Sequence, residues 1–153
     1  MRLELNRRTD YAIRACIRLA TTGDRFRSGR LIAAETDVPP QFLARILVEL
    51  VGAGVVEAQL GRSGGYRLRR SPADLTLREL VEAVEGPSTA GRCVLRQRAC
   101  EPGEPCSIHP VWAAARRGML DVLSATTVAD LVDRGHAAGA FDNGALVNER
   151  TAS

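Results

Sequence analysis

Cys93, Cys100, Cys106 and His109 lie within one short stretch, CVLRQRACEPGEPCSIHP, at the spacing C-x6-C-x5-C-x2-H. Thiolates bind soft or borderline metals, and one imidazole in place of a fourth thiolate makes such a set less negative. Structural zinc sites draw paired ligands from a short knuckle of the C-x2–4-C type, and none of these gaps is that short. Gaps of five and six residues suit a larger inorganic core, so the spacing favours an iron-sulfur cluster over zinc. The same thiols would also serve a zinc staple or a switch that closes disulfides on oxidation, and that alternative stands beside the cluster. Glu101 and Glu104 read as loop polarity. Cys16, the fourth cysteine, sits among apolar neighbours and reads as a small buried hydrophobe.

A ligand set of this kind needs a pliable segment held between firm elements. Residues 87 to 108 lose hydrophobic periodicity and are rich in Pro, Gly and Cys. A loop of that length is more than a compact domain leaves unstructured without a function or an internal staple.

Ahead of it, TDYAIRACIRLATTG has the apolar spacing of a helix from Thr9 that ends at Gly23. Ser28 can cap a short helix carrying Leu31, Ile32 and Ala34, which TDVPP then breaks. A second helix restarts at Pro39 or Pro40, carries Phe42, Leu43, Ile46, Leu47 and Leu50 inward, and ends at GAG. VVEAQLGRSGGYRLRR then reads as strand, glycine-rich turn and strand, the wing of a winged helix-turn-helix. LTLRELVEAVEG is an amphipathic helix closed by Gly86.

Behind the loop, a long helix from Pro110 through VWAAARRGMLDVLSATTVADLVD carries a narrow apolar seam of Trp112, Ala115, Met119 and Val122. Such a seam packs against a second helix, here that of a homodimer partner. The expected fold is mainly α with a small β wing: a winged helix-turn-helix domain plus a long C-terminal dimerisation helix. The divisions are 1–86 for DNA binding, 87–109 for the cluster loop, 110–135 for the dimerisation helix region and 136–153 for a flexible tail.

Charge points the same way. The first 70 residues hold thirteen arginines against seven acids, the remainder eight against eleven, and every basic residue is arginine. Arginine presents a planar fork of donors suited to phosphate and guanine. The expected DNA-facing set is Ser28, Pro40, Gln41, Phe42, Arg45, Arg62, Ser63, Gly64 and Tyr66. Gln41 and Arg45 are best placed for base edges, and Phe42 packs with its edge near the DNA backbone. Arg62 stands at the wing tip, with Arg67, Arg69 and Arg70 on the return strand facing phosphate or minor groove. An enzyme is not expected: beyond the wing there is no glycine-rich nucleotide loop, and there is no nucleophile elbow. No leader-like or membrane-spanning segment stands out, which places the chain in the cytoplasm.

The order of these elements, through TDYAIRACIRLA, VPPQFLARILVELVGAGVVEAQLGRSGGYRLRR, LTLRELVEAVEG and the cysteine loop, resembles the bacterial iron-sulfur winged-helix regulators typified by IscR and NsrR. The resemblance runs from Met1 to about Leu131. It implies a homodimeric repressor on a palindromic double-stranded operator, sensing redox, nitric oxide or iron-sulfur status. It also implies a two-iron cluster on Cys93, Cys100, Cys106 and His109, as in members similar to IscR. Members similar to NsrR carry a four-iron cluster, and some use an aspartate from the first helix of the other subunit; Asp10 stands at that position and competes with His109, which is preferred. The chain departs from the pattern twice. Its first cysteine gap is one residue longer than in IscR-like members, and Leu60 stands before the wing glycine where many members have arginine, which leaves the minor-groove contact to Arg62.

Overall fold

The computed structural model describes residues 5–87 and 107–137. Helix α1 (Arg7–Ala20) starts before the apolar pattern does, because Asn6 caps it by accepting from the Thr9 amide at 2.9 Å. Thr9 is therefore fully buried within the first turn, where its hydroxyl donates to Glu85. Ala12, Ala15, Cys16 and Leu19 form the buried face, small enough for α2 (Gly29–Thr36) and α3 (Pro40–Gly52) to pack closely.

Ser28 caps α2 as expected, its hydroxyl accepting from the Leu31 amide. That cap fixes the helix phase, so Ile32, Ala33 and Thr36 turn inward while Leu31 and Ala34 are exposed. The turn closes at Asp37, whose left-handed φ of 53° lets the Val38 amide reach the Ala33 carbonyl at 3.2 Å. Aspartate tolerates this region better than most side chains. Pro40 then opens α3, where a first turn needs no amide hydrogen. Leu43, Ile46, Leu47 and Leu50 face the core, and truncating any of them to alanine would cost about 2–5 kcal/mol.

Strands β1 (Val56–Gln59) and β2 (Gly65–Leu68) pair antiparallel, with Glu57 opposite Arg67 and Ala58 opposite Tyr66. A one-residue bridge adds Arg27 to the free edge of β2: Arg27 and Tyr66 exchange two backbone hydrogen bonds of 2.9 and 2.8 Å. The wing is thus sewn to the residue that leads into α2. Gly65, at φ 140°, makes the close approach possible, since a Cβ there would stand 2.3 Å from the Arg27 carbonyl oxygen.

A single 3-10 turn (Pro72–Asp74) leads to α4 (Leu77–Glu85), which buries Leu80 and Val84. Helix α5 (His109–Ala125) follows, then α6 (Val128–Ala137). The expected continuous helix therefore divides. Thr126 is extended, and Thr127 and Asp130 form a reciprocal cap: the Asp130 carboxylate accepts from the Thr127 amide and hydroxyl at 2.8 Å each, and the Asp130 amide donates back at 3.1 Å. Two adjacent β-branched residues followed by an aspartate three positions on favour a new start over continuation. The apolar period runs through the break, which is why it reads as one helix.

One core joins α1, α2, α3, α4 and the wing base, and Val128 of α6 is fully buried in it. The fold is mainly helical with a two-strand antiparallel wing. Among the described residues no helix is long and apolar enough to cross a membrane. Of the expected divisions, most of 87–109 and nearly all of 136–153 lie outside the described residues.

Candidate nucleic-acid interface and ligand residues

The helix-turn-helix is α2 and α3, and the outer face of α3 is its most exposed surface. With Leu43, Ile46, Leu47 and Leu50 inward, Gln41, Ala44, Arg45 and Val48 point out. Phe42, expected to pack inward, is 49% exposed because it lies at the edge of the helix facing neither core nor the outermost line. Pro40 is also exposed at the head of the same helix, and Ser28 at the head of α2.

The wing turn spans Gly61 to Gly64, closed by the Gly64 amide donating to the Gly61 carbonyl at 3.1 Å. Arg62 and Ser63 are exposed at its tip, and Leu60 beside them is 97% exposed. Gly64 lies so close to the opposing strand that a Cβ would meet the Gln59 carbonyl oxygen at 2.1 Å. Its place in the expected set is steric, as the pinch that holds Arg62 and Ser63 outward. Tyr66 is half-buried, its ring against Gly29 at the start of α2.

Ion pairing sorts the arginines. Arg30, Arg45 and Arg62 are exposed and form no ion pair among the described residues. Of the return-strand arginines, Arg67 pairs with Glu57 and lies 4.5 Å over the Phe26 ring, Arg70 binds Glu79 at 2.8 Å, and Arg69 is exposed with no ion pair among the described residues. Pairs this open to water are worth about 0–1 kcal/mol each, so they bias Arg67 and Arg70 toward the protein surface in the free chain. Below the wing, Glu35 takes Arg18 at 2.8 Å and Arg27 as well. Hydrogen bonds from Arg27 first, then Arg18, hold the Glu35 carboxyl down at about 2. This three-way clamp ties α1, α2 and the wing edge, so it shapes the interface without facing it. The sequence reading missed Glu35 and Val48; neither has a motif to announce it.

Of the expected metal ligands, Cys93, Cys100 and Cys106 lie outside the described residues. His109 is the exposed first residue of α5, where the Ile108 carbonyl accepts from the Trp112 amide at 2.9 Å. Asp10, in the first turn of α1, is held by Arg14 at 2.9 and 3.1 Å. A partly exposed i,i+4 pair of this kind is worth about 0.5 kcal/mol, too little to withhold the carboxylate from a metal. Among the described residues no three His, Cys, Asp or Glu side chains gather into a metal-binding group. Cys16 is fully buried and unbridged, and desolvation pushes its thiol up to about 12, which confirms the reading of it as a core hydrophobe.

Residues 5–134 match the family model of Rrf2, described as an iron-dependent transcriptional regulator. The chain belongs to the Rrf2 family. An HTH-type regulator of Mycobacterium tuberculosis is 32% identical over 131 residues, covering 84% of this chain and 81% of that one. The regulator NsrR of Geobacillus kaustophilus is 28% identical over 133 residues, covering 86% and 90%. Among solved structures, CymR, the global cysteine regulator of B. subtilis, superposes with a TM-score of 0.73 at 27% identity, covering 87% of this chain and 98% of that one. IscR of T. potens reaches the same TM-score at 22% identity, covering 89% and 90%, and shows the shared fold. As an Rrf2 member the chain is a transcriptional regulator of the winged helix-turn-helix class and not an enzyme.

Proposed function

We propose that this Rrf2-family regulator is a homodimer that grips a palindromic operator and responds to the state of an iron-sulfur cluster held by Cys93, Cys100, Cys106 and His109. The observation that carries the DNA half is the sorting of arginines: Arg45 on the reading helix and Arg62 on the wing tip stay outward and form no ion pair among the described residues, as do Arg30 and Arg69, while Arg67 and Arg70 are paired with carboxylates. Arg45 suits guanine and Gln41 adenine in the major groove, and Arg62 the minor groove. Ser28, Pro40, Phe42, Ser63, Gly64 and Tyr66 frame these contacts along the phosphates.

The dimer half rests on α5, which buries no residue in its own chain and leaves Val111, Met119 and Val122 exposed. Trp112 is half-buried, and α5 as a whole meets α4. A 17-residue helix in that condition asks for a second copy.

The donor chemistry of three thiolates and an imidazole fits an iron-sulfur cluster, two-iron by preference and four-iron if Asp10 takes the fourth place. Such a cluster supplies a redox- and nitric-oxide-sensitive centre. The part played by the chain is local: His109 opens α5, and α5 meets α4, so a change in how residue 109 is held reaches the helix pair that supports the winged core. A tenfold change in operator occupancy needs only about 1.4 kcal/mol of differential binding.

Anaerobic purification with a visible spectrum, iron and sulfide analysis tests the cluster. A brown or red protein with matched iron and sulfide is expected. A colourless protein that resists reconstitution would leave the zinc or thiol-switch alternative in its place. Cys106→Ala matching the intact holoprotein in operator affinity would remove the coupling.

A further inference from the structure

Helix α3 turns one line of residues fully outward: Gln41, Arg45, Val48 and Gly52, at i, i+4, i+7 and i+11. Val48 is the anomaly on that line. It is 67% exposed, more than Phe42 or Val51 on the same helix. A β-branched side chain there gains nothing from water and is a mediocre helix former. Its neighbour Ala44 is exposed too and adds little bulk.

The helical rise puts Val48 about 10 Å beyond Gln41, the length of about three base-pair steps. The line therefore spans consecutive base pairs when the helix lies along a major groove. The side chains on it each have a complement there: arginine the O6 and N7 of guanine, glutamine the N6 and N7 of adenine. An isopropyl group finds its match in the 5-methyl group of thymine, the apolar feature of that groove. We infer that Val48 is a specificity-determining residue that reads a thymine methyl in each operator half-site. This rests on the reading role of α3 proposed above.

The test begins with duplexes enriched from a random pool by the full-length protein in its anaerobically isolated state. Each thymine of the enriched sequence is then replaced, one at a time, by deoxyuridine, which removes only the methyl group. At one thymine per half-site the replacement weakens binding of the unaltered protein about four- to fifteenfold, the scale of one desolvated methyl group counted once or twice. Val48→Ala binds the thymine and deoxyuridine duplexes equally, and Val48→Ile keeps the preference. Val48→Ala melts at the same temperature as the unaltered protein or about a degree or two higher, because the side chain is exposed and alanine is the better helix former.

Equal thymine dependence in Val48→Ala and the unaltered protein overturns the inference, as does indifference of the unaltered protein to every replacement. In those cases the reading role of α3 survives. If no duplex is enriched, that role fails and takes the inference with it.

Discussion

Thr76 and Thr127 face each other across a single antiparallel bridge, and each heads its own helix. The Leu77 amide donates to the Thr126 carbonyl and the Val128 amide to the Leu75 carbonyl, both at 2.8 Å. Two helix N-termini are thereby tied side by side, each closed by its own reciprocal cap, Thr76 with Glu79 and Thr127 with Asp130. Thr76→Ala removes one cap and should cost about 1 kcal/mol, a fall in melting temperature of about 2–4 °C for a chain of this size. Thermal unfolding followed by circular dichroism checks it; an unchanged midpoint would mean the bridge alone holds the junction.

The Glu35 clamp predicts an acid-dependent stability. Its carboxyl sits at about 2 in the fold against an ordinary 4.5. A depressed carboxylate stabilises the fold in full above the ordinary value and loses that contribution as pH falls through the window from 4.5 toward 2. Because the three side chains are partly open to water, the contribution is about 1–2 kcal/mol rather than the full shift. Glu35→Gln should therefore melt several degrees lower at pH 7, and the gap to the unaltered protein should narrow steadily below pH 4.5. A gap that stays constant down to pH 3 would show that the pairs contribute nothing.

Arginine sorting predicts contrasting phenotypes. Arg62→Ala should weaken operator binding and reduce the salt slope by about 1, as expected for one lost phosphate or groove contact. Arg70→Ala should leave the slope unchanged and act through stability, since Arg70 is held by Glu79. Binding isotherms over a range of salt separate the two; equal slopes for all three proteins would place Arg62 outside the contact.

For the proposed dimer, Val122→Glu puts a charge into the exposed α5 seam at a position 65% open in the single chain. Sedimentation equilibrium should show a shift toward monomer, with operator affinity falling as the two half-sites cease to be gripped together. A variant that sediments like the unaltered protein would exclude α5 as the seam.

Local chemistry made most of the winged domain readable. The helix-breaking prolines, the Ser28 cap, the glycine-rich turn and the apolar faces of α1, α4 and, Phe42 apart, α3 sit where spacing puts them. What did not show in one dimension was set by pairing between segments. The pairing of Arg67 with Glu57 follows from the strand register, which no local pattern gives. The helix break at Thr126 hides behind an unbroken apolar period, and becomes plain only when Thr127 is seen to pair with Thr76. Arg18, Arg27 and Glu35 lie on three elements, so no spacing rule unites them.

Cys16 turns the core into its own reporter. A thiol reagent applied to native protein meets a sulfur that is sealed away and protonated, so labelling at that position can proceed only through openings that lift α1 off its neighbours. The rate at which the slowest cysteine is alkylated then measures how often the hydrophobic centre breathes, and comparing that rate with and without operator DNA reveals whether gripping the duplex quiets the whole domain or only its outer face.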